Sequence, residues 1–572
     1  MREISTDILI LGAGGAGLFA ALHAHKAAPD ASITVAVKGL LGKCGCTRMV
    51  QGGYNVALAK EDSVERHFMD TIEGGKWLPD QDLAWMLVTL AVERIHELEN
   101  ELGCFFDRNP DGTVHQKAFA GQTFDRTVHK GDLTGIEIIN RLAEQVWARR
   151  IHRLEEHRAV ELIKSRDRDA MAGVLFVDMR SGEYVFVRAK AVLLATGGGP
   201  TMYKYHTPSG DKSCDGLAMA LRAGLALRDM EMVQFHPTGL LAGTHTRMTG
   251  TVLEEGLRGS GGHLLNGAKQ RFMPQYDRLA ERATRDVVSR AMYAEIQKKN
   301  TTPHGGLYIS MAHLGPDRVA REFKGMVERC ADCGFDLAGG LVEVVPTAHY
   351  MMGGLEFRGD CSTALPGLFV AGEDSGGVHG ANRLGGNGVA NSTVFGAVAG
   401  DVMAGWIRGR GFGTPDSDAI DAAVAACEAP FGSSPSSSLE PIRERLYDVM
   451  WEKVGIIRHG PGLEEALREL ANLETELDAS GLGDHNRAFN LTWHDWMNLK
   501  SLVSVSRAIS AAAIARKDSR GAHFRSEHPE SGPLEASQFT SISLSQNSLK
   551  VVMKPVTFTR VRPGQTLLKH VA

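Results

Sequence analysis

The chain has 572 residues, 43% of them hydrophobic, and a formal net charge of -5. This length predicts two to four domains rather than a single core. The acidic balance argues against a nucleic-acid-binding protein with a basic surface, and no apolar run is long enough to span a membrane. The first strand pattern begins near residue 7, which leaves no room for a signal peptide, and eight scattered cysteines are typical of reduced thiols. We therefore expect a cytoplasmic protein.

A strand, a glycine-rich turn and a helix are predicted at residues 7–26, and a second strand at 33–38 follows at the spacing of a βαβ unit. In the turn, Gly12 permits the tight bend, Gly14 lets a pyrophosphate approach, and Gly17 allows the helix to contact the strand closely. The helix N-terminus would then face the phosphates. The predicted cofactor-binding positions of this turn are Gly12, Ala13, Gly14, Gly15, Ala16 and Gly17.

Two later strand–turn segments strengthen this prediction: ATGGG at 195–199 and LFVAGED at 368–374. Together with the first turn they predict one extended dinucleotide that crosses three βα turns. The acidic residue that usually binds the ribose of NAD is replaced by Lys38, which favours FAD. Asp215 precedes a predicted helix and could bind a cofactor hydroxyl or cap that helix, and both interpretations stay open. The second turn adds Ala195, Thr196 and Gly197 to the predicted cofactor contacts.

The predicted fold class is α/β, with a Rossmann-like FAD-binding domain that carries an inserted α+β domain and is followed by a helical domain and a strand-like C-terminal extension. The insertion is marked by a change to mixed polar helices and short strands. A helix is predicted over 56–74, and the run at 541–553 resembles a β-hairpin. The run at 433–438 predicts a flexible joint between helices. The predicted domain ranges are 1–240 and 345–412 for the FAD-binding domain, 241–344 for the insertion, 413–525 for the helical domain and 526–572 for the extension.

Charged and histidine side chains in glycine- or proline-containing motifs suggest a reactive site. Arginine binds a carboxylate with a planar fork, and positioned donors polarise a double bond conjugated to it. A flavin can then exchange hydride with one carbon while an acid protonates the other. A lone histidine is more often structural, but several such motifs together favour catalysis. The candidates are His236 in QFHPTG, Glu255 and Arg258 in EEGLRG, Arg285 in ATRDVVSR, His349 in PTAHYMMGG and Arg383 in HGANRLGGN.

These motifs, with VQGG, LTWHDW and DSRGAH, resemble the flavoprotein subunit of succinate dehydrogenases and fumarate reductases, a family that includes L-aspartate oxidase. The resemblance covers about residues 5–525 and implies that the inserted domain caps the active site. It implies that Arg285 exchanges the proton, supplied through Glu255 and Arg258, and that His236, His349 and Arg383 hold the substrate carboxylates. Phe119 and Gln122 would line the substrate side. The implied flavin contacts are Cys46, Thr47, Gln51, Gly52, Gly53, Glu373, Arg383, Gly388 and Val389.

The chain departs from the family at four places. Cys46 stands where respiratory members carry a histidine bonded covalently to FAD, so we expect non-covalent FAD, which suits fumarate reduction; a cysteinyl link is the alternative. Gly388 replaces the usual serine beside the flavin. The chain beyond about residue 530 has no match to the family pattern.

The fourth departure is Glu254, which stands where the family has a threonine that meets a substrate carboxylate. Two like charges about 4 Å apart repel by roughly 4 kcal/mol at an effective dielectric constant near 20. Glu254 therefore points away, is protonated, or indicates a substrate other than a plain dicarboxylate dianion.

Three functional hypotheses follow. The first is an enzyme that interconverts fumarate and succinate, or a related carboxylate pair. The sequence has no iron–sulfur cysteine pattern, so this hypothesis predicts an iron–sulfur partner subunit, with any membrane association through partners. The second is an L-aspartate-oxidase-like enzyme that needs no partner and could use Glu254 to bind an amine. The third is a non-catalytic flavin-binding subunit, against which the retained Arg285, His349 and Arg383 argue.

Overall fold

The computed structural model describes residues 1–243, 246–433 and 438–568, so most of the joint predicted at 433–438 lies outside the described residues. The α-helices are Gly15–Ala27 (α1), Val64–Gly74 (α2), Gln81–Asn100 (α3), Thr134–Trp147 (α4), Asp215–Arg222 (α5), Gly256–Gly259 (α6), Arg285–Gln297 (α7), Pro316–Glu322 (α8), Lys324–Asp332 (α9), Asn387–Trp406 (α10), Ser417–Gly432 (α11), Glu440–Lys453 (α12), Gly460–Ala479 (α13) and Leu491–Ala515 (α14). None of the helices in these three ranges is long and apolar enough to cross a membrane.

The strands of the described residues form four sheets. They are Arg2–Leu11 (β1), Ile33–Val37 (β2), Tyr54–Asn55 (β3), Gln116–Lys117 (β4), Thr127–Val128 (β5), His152–Glu155 (β6), His157–Lys164 (β7), Met171–Asp178 (β8), Tyr184–Leu194 (β9), Leu227–Arg228 (β10), Val233–Leu240 (β11), His263–Leu265 (β12), Leu307–Ser310 (β13), Val342–Met351 (β14), Gly354–Leu355 (β15), Leu368–Val370 (β16), Gln538–Ser545 (β17) and Ser548–Pro555 (β18).

Strand β9 is the centre of the main sheet, whose order is β6-β2-β1-β9-β8-β7. Its N-terminal half pairs antiparallel with β8, and its last residues pair parallel with β16, while β1 pairs parallel along the other side. The carboxyl ends of β1, β9 and β16 therefore lie together. This arrangement brings the turns at 12–17, 195–199 and 371–374 to one edge of the sheet, as the sequence predicts for an extended dinucleotide.

The inserted domain is built on a second sheet of order β11-β14-β13-β12. Its two longest strands connect it to the FAD-binding domain: the chain enters the inserted domain through β11 and leaves it through β14. The sheet therefore extends beyond residues 241–344 on both sides. A buried apolar cluster covers one face of this sheet. The domain boundaries themselves remain predictions.

Two sequence predictions about local structure need correction. The helix expected over 56–74 covers only its second part, because the Ser63 hydroxyl accepts a hydrogen bond from the Arg66 N–H and starts α2 there. Of the two roles left open for Asp215, capping the helix is wrong: Cys214 is the N-cap of α5, in the left-handed region at φ 56°, and Asp215 is the first residue of the helix. The hairpin predicted near 541–553 is confirmed as the pair β17–β18.

The C-terminal segment packs against two distant parts of the chain. Strand β17 pairs with β10, and Val561 completes a small buried cluster between α2 and α3. There Gln81 donates from Nε2 to the Val561 carbonyl at 2.7 Å, and its Oε1 accepts from the Arg560 and Val561 N–H groups. The extension is therefore part of the folded body.

Candidate active site

A cavity of about 360 Å³ lies between the N-terminus of α1 and the sheet of the inserted domain, and a second cavity of about 70 Å³ continues past the first turn. The first is lined by the predicted residues Gly14, Gly15, Ala16, Cys46, Thr47, Gln51, Gly52, Gly53, Phe119, Ala195, Gly197, His236, Glu254, Glu255, Arg285, His349, Glu373, Arg383, Gly388 and Val389. The second adds Gly12, Ala13, Lys38, Thr196 and Asp215. The predicted cofactor and substrate residues thus converge from several distant parts of the chain.

Gly12 and Gly17 serve the packing of the first turn, because each lies directly against the backbone of a neighbouring segment. A Cβ on Gly12 would lie 2.1 Å from the Ala195 carbonyl oxygen, and its φ of 109° is itself a left-handed value. A Cβ on Gly17 would lie 2.0 Å from the Gly12 oxygen. Both positions therefore require glycine so that strand, turn and helix can approach closely.

The N-terminus of α1 fits the pyrophosphate of FAD. Its N-cap is Gly14, without a side-chain cap or an acidic residue in the first turn, so backbone N–H groups face the cavity with the positive end of the helix dipole. The Gly15 N–H donates to Thr47 Oγ1 at 3.0 Å. Gln51 Oε1, on the cavity wall, is buried without a partner among the described residues. These features suit a ligand with phosphate and donor groups.

Lys38 and Asp215 form a partly buried ion pair on the wall of the smaller cavity. Lys38 Nζ lies 2.9 Å from Asp215 Oδ2, and Arg158 and Ser501 donate to Asp215 Oδ1 at 2.8 and 2.9 Å. Although burial favours its neutral form, Arg158 and Lys38 keep the pKa of Asp215 below its usual range. Asp215 is therefore an anion fixed by neighbouring cations, which replaces the predicted capping role.

The two carboxylates that follow β16, Glu373 and Asp374, have different structural roles. Glu373 Oε1 accepts from the Met351 N–H at 2.9 Å and the Gly199 N–H at 3.2 Å, and burial raises its pKa. Asp374 accepts from the Thr196 hydroxyl at 2.9 Å and so joins the second and third turns. Glu373 lines the cavity, whereas Asp374 holds the edge of the sheet in shape.

A hydrogen-bonded chain of three charged residues leads from the protein interior to the cavity. Glu255 Oε1 accepts from Arg258 Nη2 at 2.9 Å, and its Oε2 accepts from Arg285 Nη2 at 2.6 Å. Arg285 Nη1 also donates to Gln234 Oε1 at 2.9 Å. Although burial opposes ionisation, Arg285 and Arg258 hold the pKa of Glu255 at about 2. Arg258 is fully buried and Arg285 opens to the cavity, so the chain has an inner and an outer end.

His236 and His349 lie side by side, with ring centroids 5.4 Å apart. Burial and the charge of Arg285 hold the pKa of each well below its usual range, so both rings are neutral. His236 Nδ1 accepts the Thr238 N–H at 3.3 Å, which assigns the proton to Nε2. His349 Nδ1 contacts the Thr207 hydroxyl at 2.8 Å. The pair can therefore offer neutral donors to an anionic ligand.

An irregularity in β14 lets consecutive side chains reach the cavity. Gln234 pairs with Tyr350 but the next residue, Phe235, pairs with Ala348, which leaves His349 as an extra residue. Such a bulge changes the alternation of a strand and redirects side chains. Both His349 and Tyr350 consequently line the cavity.

Glu254 is buried on the cavity wall and forms an ion pair with Lys117 Nζ at 2.9 Å. Burial raises its pKa, and Lys117 partly offsets this effect. The sequence left three alternatives for Glu254: that it points away from the substrate, that it is protonated, or that the substrate is another acid. Its position on the cavity wall disfavours the first. The charges of Glu254 and Lys117 nearly cancel, and Glu254 lines the same cavity as Arg285 and Arg383.

Three more predicted residues, Phe119, Gln122 and Cys46, lie at different distances from the cavity. Phe119 lines the cavity against Gly52. Gln122 lies behind it and donates from Nε2 to the Gly385 carbonyl at 3.0 Å. Burial raises the pKa of the Cys46 thiol to about 12, so this side chain is a neutral thiol beside the cavity.

Sequence reasoning missed several residues of the site. Gln234 could have been found because it lies two positions before His236 in a strand and therefore shares its face. Lys117 and Tyr350 could not, because one pairs across 137 residues and the other depends on the bulge. The missed polar lining or contacting residues include Lys117, Thr207, Lys212, Gln234, Arg329 and Tyr350.

Comparison with known proteins agrees with this geometry. An FAD binding domain model matches residues 7–389, and a fumarate reductase flavoprotein C-terminal model matches residues 443–567. The second match shows that the expectation of a divergent chain beyond about residue 530 is wrong. An uncharacterised FAD-dependent oxidoreductase of Methanocaldococcus jannaschii is 39% identical over 92% of this chain and 94% of its own length. One subunit of the CoM/CoB fumarate reductase of Methanothermobacter marburgensis is 38% identical over 92% of this chain and 95% of its own length.

Solved structures give the same result. The FrdA chain of an E. coli quinol fumarate reductase mutant superposes with a TM-score of 0.92 at 32% identity, covering 99% of both chains. An Sdh1 structure from Mycobacterium smegmatis superposes with a TM-score of 0.86 at 34% identity, covering 97% of this chain and 95% of that one. The chain therefore belongs to the fumarate reductase and succinate dehydrogenase family of FAD-dependent flavoprotein oxidoreductases.

Proposed function

We propose that this chain interconverts fumarate and succinate, and that Arg285 exchanges the proton at the substrate carbon. The observation that carries the proposal is the hydrogen-bonded chain Arg258–Glu255–Arg285, which ends in the cavity that the FAD cradle opens into. FAD, when bound, supplies or accepts the hydride at the other carbon of the substrate. The remaining tasks belong to side chains of the protein.

Binding a dianion suits the charge of the cavity. Arg285 and Arg383 line the cavity together with the ionised Glu255 carboxylate, and the buried Arg258 lies behind Glu255, so these four groups carry a positive surplus. His236 and His349 add neutral donors. We infer that Arg383 and the two histidines hold the substrate carboxylates and polarise the double bond.

Proton transfer through arginine requires a coupled chain, because a guanidinium stays protonated at any ordinary pH. When Arg285 gives its proton to the substrate carbon, the adjacent Glu255 carboxylate and then Arg258 can restore it. Each oxygen of Glu255 contacts one guanidinium, so a proton can enter on one side and leave on the other. The reverse sequence serves succinate oxidation.

The proposed FAD is non-covalent, because a neutral Cys46 thiol lacks the nucleophilic thiolate. Electrons would then reach the site from an iron–sulfur partner subunit. Exposed apolar side chains suit such contact: Leu40, Met49 and Leu133 are each about half exposed, and Met49 also lines the cavity. We expect the complex to work in the cytoplasm, with any membrane contact through partners.

The test is an assay of purified protein with fumarate and a reduced viologen dye, and of succinate with an artificial acceptor. Arg285→Lys should lower turnover by a factor of about 10²–10⁴, the usual loss for a positioned acid. Arg282→Lys, an exposed neighbour, is the matched control. Equal turnover in the Arg285 variant would overturn the role of this residue.

Two further results would redirect the proposal. Peroxide production with L-aspartate, and no activity with fumarate, would favour the aspartate-oxidase-like alternative. Full physiological activity of the protein isolated from its native source without an iron–sulfur partner would contradict the predicted partner.

A further inference from the structure

The Arg383 guanidinium is held in an unusual way for a buried charge. It is only 6% exposed, and its carbon lies 4.3 Å from the centroid of the Tyr350 ring. Its Nε has no hydrogen-bond partner, and its Nη1 makes one long contact of 3.4 Å with the Leu384 carbonyl. Within the described ranges, no carboxylate forms an ion pair with it. The aromatic face is therefore the group in direct contact with this charge, while the Glu373 and Glu255 carboxyl groups stabilise it from a longer distance.

This arrangement leaves the arginine free to bind a ligand. A carboxylate partner would occupy the N–H edge of the guanidinium, whereas an aromatic face attracts the cation without accepting those hydrogens in the plane. The unpartnered Nε of Arg383 is consistent with an N–H edge reserved for another molecule. Burial and Arg285 lower the pKa of Arg383 to about 10, so it remains a cation at neutral pH.

Tyr350 is itself fixed on its other sides. The bulge at His349 turns its side chain into the cavity, and the ring of His379 packs edge-on at 5.6 Å. Its hydroxyl accepts a long contact of 3.4 Å from Asn391 Nδ2. The plane of the ring is therefore set by packing, with a minor contribution from the hydroxyl.

Gly388 provides the space that the stack needs. A Cβ at this position would lie 2.8 Å from Arg383 Nη1 and 3.3 Å from Tyr350 Cε2. Gly388 lies in the first turn of α10 with an ordinary backbone, so it is not required there by a left-handed conformation. The absent side chain serves the guanidinium instead.

We propose that Tyr350 and Gly388 are positioning residues that set the Arg383 guanidinium for a substrate carboxylate. The inference rests on the proposed function, since it assigns a carboxylate to Arg383. It predicts that both positions control the affinity for the acid rather than the fold, and that both act through the same arginine.

The first experiment compares Tyr350→Leu, which removes the ring, with Tyr350→Phe, which keeps it. The dissociation constants of succinate and fumarate are measured from the change in flavin absorbance, together with KM and kcat. Loss of a buried cation–π contact should weaken binding by about tenfold in Tyr350→Leu, with a smaller change in kcat. Tyr350→Phe should restore binding to within about twofold of the wild type, because the face that contacts Arg383 is retained.

The second experiment uses two glycines of one helix. Gly388→Ala should weaken dicarboxylate binding by a similar factor, because the clash falls on the movable end of Arg383, while alanine in a helix should leave thermal stability equal or higher. Gly405→Ala is the matched control, since a Cβ there meets nothing within 4 Å. Flavin content, read from the visible spectrum, separates a substrate effect from loss of FAD.

The double variant Tyr350→Leu/Gly388→Ala decides whether the residues act through one group. If both displace Arg383, their effects on the dissociation constant should be clearly less than the product of the single effects. Wild-type affinity in Tyr350→Leu, or fully multiplicative effects, would overturn the inference. If the wild type neither binds nor reduces fumarate, the proposed function itself fails, and this result is distinct from a failure of the variants alone.

Discussion

The two ends of the cavity are built from different parts of the polypeptide. At the dinucleotide end, main-chain N–H groups and glycines form the surface, as Gly12, Gly14 and Gly17 illustrate. At the other end, which is the proposed substrate end, charged side chains such as Arg285 and Arg383 form the surface. The first end requires close contacts between segments adjacent in the sheet, whereas the second requires side chains from several distant segments to meet.

This difference sets the consequences of mutation. A substitution in the backbone-built end should disturb folding and cofactor retention together, because the same atoms serve both. A substitution in the side-chain-built end should leave the flavoprotein intact and change its chemistry. Four predictions test this contrast, in order of decreasing effect.

Gly12→Ala should have the largest effect. Its Cβ would overlap the Ala195 carbonyl at 2.1 Å, which backbone atoms cannot avoid cheaply, so we expect a loss of more than about 4 kcal/mol and no retained flavin. Gly224→Ala is the control: its φ of 80° is similarly left-handed, but a Cβ there meets nothing, so it should cost about 1 kcal/mol. Thermal unfolding and visible absorbance measure both. A stable, yellow Gly12→Ala protein would contradict the backbone argument.

Glu255→Gln should abolish most turnover without loss of flavin. The amide keeps the shape of the side chain but cannot carry a proton between Arg258 and Arg285, so kcat should fall by about 10²–10⁴. Steady-state assay with fumarate and spectroscopic flavin content measure the two effects. The neighbouring Glu254→Gln variant, which leaves this chain of hydrogen bonds intact, is the control. Unchanged kcat in Glu255→Gln would show that protons enter by another route.

Glu254 should make fumarate binding depend on pH. Burial raises its pKa, so the carboxyl is neutral below that pKa and becomes an anion as the pH rises through it. The anion repels the substrate carboxylate, so KM should increase with pH over that interval, and Glu254→Gln should flatten this part of the profile. The expected change is several-fold, since Lys117 offsets part of the charge. Glu328→Gln, on an exposed part of the inserted domain, should keep the wild-type profile.

Cys46→Ser should have the smallest effect. A neutral thiol does not bond to the flavin, so acid denaturation should release the yellow colour from the wild type and the variant alike. Colour that stays with the wild-type polypeptide but leaves the variant would instead establish a cysteinyl link.

The sequence predicted the dinucleotide end well because its determinants are local. The order strand, GAGGAG and helix fixes which glycines turn and which pack, and Gly12 and Gly17 have the close contacts expected of them. The ranges of β1 and β2 differ from prediction only at their ends. Local sequence is sufficient here because neighbouring strands supply the contacts.

The substrate end was predicted only as a set of residue types. Resemblance to the family pointed to Glu255, Arg258 and Arg285, but the partners Gln234 and Lys117 follow from tertiary structure. Regular alternation would place His349 and Tyr350 on opposite faces of β14, and only the bulge brings both to the cavity. The ion pair of Asp215 could not be predicted from its motif either, because its partner Lys38 lies 177 residues away in the chain.

The contact of Gln81 with the backbone at Val561 has a consequence for biosynthesis. The small core between α2 and α3 lacks one of its walls until a segment 480 residues beyond Gln81 arrives. During translation the apolar surface of Phe68, Trp77 and Val88 therefore lacks its Val561 contact until most of the chain has been synthesised, and in that time chaperones can reach it. The order in which the ribosome releases the chain thus decides which part of this flavoprotein matures last.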